Sequence, residues 1–263
     1  MHHLLEEASD ALDGFARLPR ALLLLDFDGT LAPFAPTPDA AHLEPSAQSA
    51  IDRLLEAAPP GLRVGVASGR AIEDLRLRLP PLHVWIGLHG LESAIGDEPP
   101  RLRCDLSLSD LALERLRRRL NGVIGAGGRI EDKGHSIAMH VRGLEPARAA
   151  AAIAAFVHEV EREREDGAPL ECLSGSMVVE ARPAGAGKHQ AVEEILRALG
   201  IARLAFVGDD VTDEEVFRVF PDELTVAVMD PPRTTAAAYY LRSPRETAAM
   251  LEAIAARRTS LPG

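Results

Sequence analysis

Ala21-Leu22-Leu23-Leu24-Leu25-Asp26-Phe27-Asp28-Gly29-Thr30 joins a short unbroken apolar run to a cluster of acidic and small residues. Five consecutive apolar residues fit a strand buried on both faces, as in a parallel sheet. The acids would then stand at the strand's carboxyl end, where open α/β sheets gather ligands. Upstream, Leu4, Leu5, Ala8, Leu12 and Phe15 recur at helical spacing and predict one helix over residues 3–17. Downstream, Pro45 opens a helix with Ala47, Ile51, Leu54, Leu55 and Ala58 on its apolar stripe. Strands are expected at 63–67 and 83–86, with a helix marked by Ile72, Leu75 and Leu79 between them. This alternation predicts a doubly wound, Rossmann-like parallel sheet.

From about Arg103 the rhythm changes. A helix over 110–120, paired strands at 129–133 and 136–142, and a long helix over 145–165 come first. A second hairpin at 170–173 and 177–182 follows. The order α-β-β-α-β-β is that of a small α+β domain with an antiparallel sheet. Alternation then resumes, with helices at 188–199, 213–220 and 244–258 and strands at 204–207 and 224–228. Gly200 suits a helix C-cap. The expected organisation is a core made of residues 1–102 and 184–263, interrupted by an insert over 103–183.

Composition bounds the rest. The chain has 263 residues, 46% hydrophobic and 26% charged, which fits a globular protein and excludes a disordered or fibrous one. Acids outnumber bases 40 to 29, so the net charge of −11 disfavours nucleic acid and anionic membranes as partners. The Arg115-Leu116-Arg117-Arg118-Arg119 run reads as a solvated helix face. No apolar stretch approaches the roughly 20 residues of a membrane span. Glu6, Glu7 and Asp10 break any signal-peptide plan. Cys104 and Cys172 read as reduced thiols, with a single disulfide left open. A cytoplasmic monomer is the expectation.

Four polar clusters fall at strand ends or helix starts: Asp26 to Thr30, Ser68-Gly69-Arg70, Lys188, and Gly208-Asp209-Asp210-Val211-Thr212-Asp213-Glu214. Two carboxylates about 4 Å apart repel by about 4 kcal/mol at an effective dielectric of 20. Asp26, Asp28 and Asp209 at one sheet edge would therefore need protons or a cation. An all-oxygen donor set points to magnesium rather than zinc. Beside it, the Thr30 and Ser68 hydroxyls, the Gly69 N–H and Lys188 make a phosphate site. There is no Walker loop. Asp26, at the very end of the strand, is the candidate nucleophile, forming an acyl phosphate. Asp28 is the candidate general acid and base.

In this order the motifs resemble the haloacid dehalogenase (HAD) superfamily, and more narrowly the trehalose-6-phosphate phosphatases. The narrower resemblance rests on Leu25-Asp26-Phe27-Asp28-Gly29-Thr30-Leu31-Ala32-Pro33, Ser68-Gly69-Arg70, Gly87-Leu88-His89-Gly90, Glu131-Asp132-Lys133-Gly134, Glu180-Ala181-Arg182-Pro183 and the 208–214 cluster. It implies a HAD-like core with the insert as a substrate-specificity cap that opens and closes. It implies magnesium-dependent hydrolysis of trehalose 6-phosphate through an aspartyl phosphate. Asp26, the Asp28 carbonyl and Asp209 would hold the metal, with Asp210 and Asp213 near or behind it. Thr30, Ser68, Gly69 and Lys188 would hold the phosphoryl group. Arg70, His89, Gly90, Glu131, Lys133, His140, Arg142 and Glu180 become candidate substrate contacts. Strand periodicity supports part of that grouping: Glu131 with Lys133, His140 with Arg142, and Glu180 with Arg182 each share a face. His189 departs from the pattern, because the family commonly carries Gly after the Lys.

Blander readings stand beside these. The cap charges can be the solvated face of a sheet, His89 a structural loop residue, and Glu214 a helix-dipole partner. Two rival functions stay open. One is a phosphatase or phosphomutase of another sugar phosphate, of sucrose or mannose type. The other is a non-catalytic sugar-phosphate sensor.

Overall fold

The computed structural model describes residues 1–57, 61–103, 106–123, 128–175, 177–185 and 187–260. Cys104 and Ala58, named above, lie outside the described residues. Two compact units emerge: residues Met1–Arg101 with Gly187–Gly263, and residues Leu102–Ala186.

In the first unit the chain opens with β1 (His2–His3), α1 (Leu4–Glu7) and α2 (Ser9–Ala16). The single helix expected over 3–17 is broken, because Ala8 leaves helical geometry at φ −137°. Next come β2 (Ala21–Leu25), α3 (Pro45–Ala57), β3 (Leu62–Ala67), α4 (Ile72–Arg78), β4 (Val84–Gly87), β5 (Glu92–Ile95) and β6 (Arg101–Leu102). The second unit supplies α5 (Ser107–Val123), β7 (Arg129–Asp132), β8 (Ile137–His140), α6 (Pro146–Glu165), β9 (Leu170–Gly175) and β10 (Val178–Pro183). The first unit then resumes with α7 (Lys188–Leu199), β11 (Leu204–Gly208), α8 (Val211–Val219), β12 (Leu224–Val228), β13 (Tyr239–Leu241) and α9 (Pro244–Thr259).

The larger sheet runs β1-β13-β12-β11-β2-β3-β4-β5-β6. Every pairing from β1 through β4 is parallel, and β5 joins β4 antiparallel. The Leu run of β2 lies at its centre and feeds two cores. Leu23 and Leu25 pack on one face with residues of α2, α3 and α9. Leu22 and Leu24 pack on the other with residues of α7 and α8. Burial on both faces is why the run shows no alternation.

The register decides where the chemistry goes. Leu25 pairs with Val207 on β11 and with Val66 on β3, and Ala67 pairs with Ile86 on β4. Parallel neighbours in register end together. Asp26, Ser68 and Asp209 thus leave the sheet at one edge. The Asp26 N–H donates to the Val207 carbonyl (2.8 Å) and the Ser68 N–H to the Ile86 carbonyl (3.0 Å), which carries the ladder one residue further on.

The second unit is a four-stranded antiparallel sheet, β7-β8-β10-β9, with α5 and α6 on one face. Ile137, Met139, Val141, Val179 and Ala181 point into that apolar layer around Phe156. The opposite face takes the alternate residues. Glu131, Ala138, Glu180 and Leu173 form one row across it.

Candidate active site

Beyond β2 the chain folds back at once. The Leu31 and Ala32 N–H groups both donate to the Phe27 carbonyl, and Gly29 N–H donates to the Ala32 carbonyl (2.7 Å). Gly29 takes φ +80°, and a Cβ there would lie 2.4 Å from the Asp209 carboxylate. Both facts require glycine. The reversal brings Thr30 under Asp209, and its hydroxyl donates to Asp209 Oδ1 (3.2 Å).

Asp26, Asp209 and Asp213 converge, with one carboxylate oxygen of each within 4.8 Å of the others. Lys188, from the first turn of α7, enters this group. Its ammonium donates to Asp213 Oδ1 (2.7 Å) and lies 3.2 Å from Asp26 Oδ1. Lys188 is only 1% exposed. Burial works against its charge, but Asp213 and then Asp26 outweigh that and raise its pKa. The acids are strained in the opposite sense. Burial raises Asp26 to about 8; Lys188 opposes this, while Asp213 and Asp28 add to it. Asp209 is raised by burial and then by Asp26, Asp213 and Asp210. One ammonium among three carboxylates leaves an excess of negative charge and only oxygen donors. That donor set fits a hard divalent cation.

The acids differ in what they already hold. Asp213 Oδ2 accepts the Asp209 N–H (2.9 Å) and the Asp210 N–H (3.0 Å), so it shapes the motif's backbone as well as meeting Lys188. The Asp28 and Asp210 side chains are not part of the three-carboxylate group. Asp28 turns instead to Arg70, whose Nε and Nη2 donate to its two oxygens at 2.7 and 2.8 Å. Ser68 is buried, and its hydroxyl accepts the Arg70 N–H (3.3 Å).

The 87–90 loop is stitched to the same edge. The His89 N–H donates to the Ser68 carbonyl and the Leu88 N–H to the Arg70 carbonyl. The His89 ring lies against Gly69. Gly90, at φ +101°, passes so close to Gly187 and Lys188 that a Cβ would meet the Gly187 carbonyl oxygen at 2.4 Å.

In the second unit the predicted side chains pair across the polar face. Lys133 donates to Glu180 (2.9 Å), and His140 Nε2 lies 2.7 Å from Glu131. The His140 hydrogen bond, against the cost of burial, holds Glu131 below its usual pKa. Glu180 is 6% exposed, while Arg142 lies exposed beyond the end of β8.

Sequence reasoning passed over Asp74, Arg78, Glu92 and Arg233. Asp74 and Arg78 bind Arg70 in series. Glu92 accepts the Ile72 N–H at the start of α4 (2.6 Å). Arg233 donates to the Asp209 carbonyl (2.5 Å). The spacing of four from Asp74 to Arg78 within α4 was a readable helix-face signal, whereas Arg70 precedes the helix. Arg233 carries none, since it arrives from a loop 24 positions downstream.

A parallel sheet that ends its central strands in Asp-Phe-Asp and Asp-Asp, with a buried Lys between them, is the arrangement of the HAD superfamily. Comparison with known proteins narrows this. The family model described as trehalose-phosphatase matches residues 24–244. A trehalose-phosphate phosphatase of Mycolicibacterium paratuberculosis is 32% identical, the match spanning 95% of this chain and 67% of that protein. A probable trehalose-phosphate phosphatase of Sinorhizobium fredii is 36% identical over 74% of this chain and 72% of its own length. The C-terminal domain of the Candida albicans trehalose-6-phosphate phosphatase shares the fold, with a TM-score of 0.80 at 21% identity, covering 94% of this chain and 96% of that one. The chain belongs to the trehalose-phosphatase family. No helix among the described residues is long and apolar enough to cross a membrane.

Proposed function

We propose that this protein hydrolyses trehalose 6-phosphate to trehalose and phosphate. The observation that carries the reading is the convergence of Asp26, Asp209 and Lys188 at one edge of a parallel sheet. Family membership supports the substrate.

In this reading Asp26 attacks phosphorus. The Asp26 oxygen–phosphorus bond forms as the phosphorus–sugar oxygen bond breaks. Asp28 gives its proton to the departing sugar oxygen, then takes one from the water that splits the aspartyl phosphate. Lys188, Thr30, Ser68 and the Gly69 N–H hold the phosphoryl oxygens. Asp26, the Asp28 carbonyl and Asp209 would hold magnesium, with Asp210 and Asp213 near or behind it and Asp213 also fixing the backbone through the Asp209 and Asp210 N–H groups. Magnesium when bound supplies charge neutralisation to the carboxylates and the phosphoryl oxygens. Residues 103–183 serve as the specificity cap, reading sugar hydroxyls through Glu131, Lys133, His140, Arg142 and Glu180. His89 and Gly90 line the substrate side of the core.

Phosphate release from trehalose 6-phosphate, with and without magnesium and beside a panel of other sugar phosphates, tests the reading. Free phosphate with clear preference for trehalose 6-phosphate supports it. An isomeric phosphate in place of free phosphate would identify a mutase, and no turnover at all would leave only a sensor.

Magnesium should also register in stability. Asp26 has a folded pKa of about 8, against roughly 4 in an unfolded chain. A carboxyl raised in this way stabilises the fold fully below its unfolded pKa. That contribution is lost as pH rises through the folded one. Metal-free protein therefore carries more electrostatic strain at pH 8 than at pH 5.5, and the cation relieves more of it there. The magnesium-induced rise in Tm should be larger at pH 8 than at pH 5.5 in chelator-treated samples. A rise that shrinks with pH would contradict the ligand set.

Glu180→Gln tests the cap. Removing its charge leaves Lys133 without this partner and should lower kcat/KM for trehalose 6-phosphate by about 10- to 100-fold. Hydrolysis of 4-nitrophenyl phosphate should stay near the wild-type rate. Equal losses on both substrates would argue against a sugar contact.

A further inference from the structure

Asp28 is held as the end of a ladder. The Arg70 guanidinium lies 5.2 Å from the Phe27 ring centroid and presents its Nε and Nη2 edge to both Asp28 oxygens. Its remaining nitrogen, Nη1, donates to Asp74 Oδ2 (2.9 Å). Arg78 Nε donates to both Asp74 oxygens at 2.9 Å, and Arg78 Nη1 donates to the Ala41 carbonyl (2.8 Å). Burial works against the Asp74 carboxylate, but Arg78 and then Arg70 outweigh it and keep its pKa below the usual value. Asp74 is thus a charged pivot with a guanidinium on each side. The first turn of α4, which carries it, is itself pinned by Glu92 through the Ile72 N–H.

We propose that Asp74, braced by Arg78, is a positioning residue that orients Arg70 and through it the acid–base carboxylate of Asp28. The inference rests on the phosphatase reading above. A guanidinium has several ways to meet one carboxylate, and fixing Nη1 selects one of them. Arg70 then becomes a rigid plate, and Asp28 pivots on a fixed seat. To protonate a sugar oxygen, Asp28 must free one oxygen from the fork while the other stays held. Where that free oxygen points depends on where Arg70 is anchored. The side chains that Asp74 meets are Arg70 and Arg78, so in this reading its effect passes through Arg70 and is confined to steps that need the proton.

That confinement supplies the test. The kcat/KM of a phosphatase that forms an aspartyl phosphate reports the step in which the alcohol leaves. A sugar alkoxide leaves poorly without a proton, and 4-nitrophenolate leaves well without one. Asp74→Asn should lower kcat/KM for trehalose 6-phosphate by about 10- to 100-fold. For 4-nitrophenyl phosphate the loss should stay within about threefold, and across a series from nitrophenyl to phenyl phosphate the dependence on the leaving group should steepen. In an Asp28→Asn background the same change should add less than about threefold, because the residue it acts through is gone. Arg78→Gln should repeat the pattern at smaller size and serves if Asp74→Asn folds poorly. Equal losses on both substrate types, or none on the sugar phosphate, would overturn the assignment. Failure of the wild-type chain to release phosphate from any substrate would overturn the reading of the site as well, whereas wild-type turnover with an unmoved leaving-group slope would overturn the role of Asp74 alone.

Discussion

Asp26→Asn should release phosphate at least about 10⁴-fold more slowly than the wild type, while folding as well or better without metal. The two halves have different causes. The amide lacks the nucleophilic oxygen charge, and no other carboxylate can take its place. Asp213 already accepts two backbone N–H groups and Lys188, Asp209 accepts Thr30, and Asp28 is engaged by Arg70. The stability gain comes from the charge excess. The Asp26 carboxyl, raised to about 8, costs folding energy progressively as pH rises toward that value. The neutral amide pays none of it and leaves Lys188 paired with Asp213 at 2.7 Å. Chelator-treated variant should therefore melt above chelator-treated wild type, and the gap should widen from pH 5.5 to pH 8. Magnesium should raise its Tm less than it raises that of the wild type. Retained turnover would remove Asp26 as nucleophile. A variant that melts lower at pH 8 would mean that the three carboxylates are balanced by something other than Lys188 and a cation.

The core of this site was legible because a parallel sheet is a strict organiser. Once Ala21–Leu25 and Leu204–Val207 are read as strands buried on both faces, the residues after them must meet at one edge if the strands are neighbours. Asp26 and Asp209 do meet there. The cap face was legible from a period of two, and the cross-strand row of Glu131 and Glu180 follows from it. Short or interrupted elements were not. β13 has three residues and β5 has four, too few to show a period. The break at Ala8 has no Pro or Gly to announce it, and it separates α1 from α2. Side-chain destinations were the least legible. Arg70 stood among the candidate substrate contacts, and no feature of its motif indicates that its guanidinium also meets Asp28 and Asp74. A sequence shows which groups share an edge, but the order in which charges pair there is set by packing such as the Phe27 ring beneath Arg70.

Lys188→Met should cut turnover by about 10³-fold or more and destabilise metal-free protein by about 3–5 kcal/mol, the usual cost of breaking a buried ion pair by removing one partner. Met fills much of the same volume, so the loss is electrostatic. Without the ammonium, Asp26, Asp209 and Asp213 repel one another in a buried setting with no balancing charge. The folded chain can answer by keeping protons on these groups, which makes the penalty grow as pH rises toward 8 and beyond. A divalent cation can answer too, since two positive charges go where one was lost. Magnesium should therefore recover a large part of the lost Tm. It should not recover turnover, because in the proposed reaction the ammonium and the cation act together on the transferring phosphoryl oxygens, and the cation alone leaves Lys188's hydrogen bonds to them unmade. The two recoveries must separate. Restoration of both would reduce Lys188 to a counter-charge for the acids, and restoration of neither would show that its stem and its place at the start of α7 matter more than its charge.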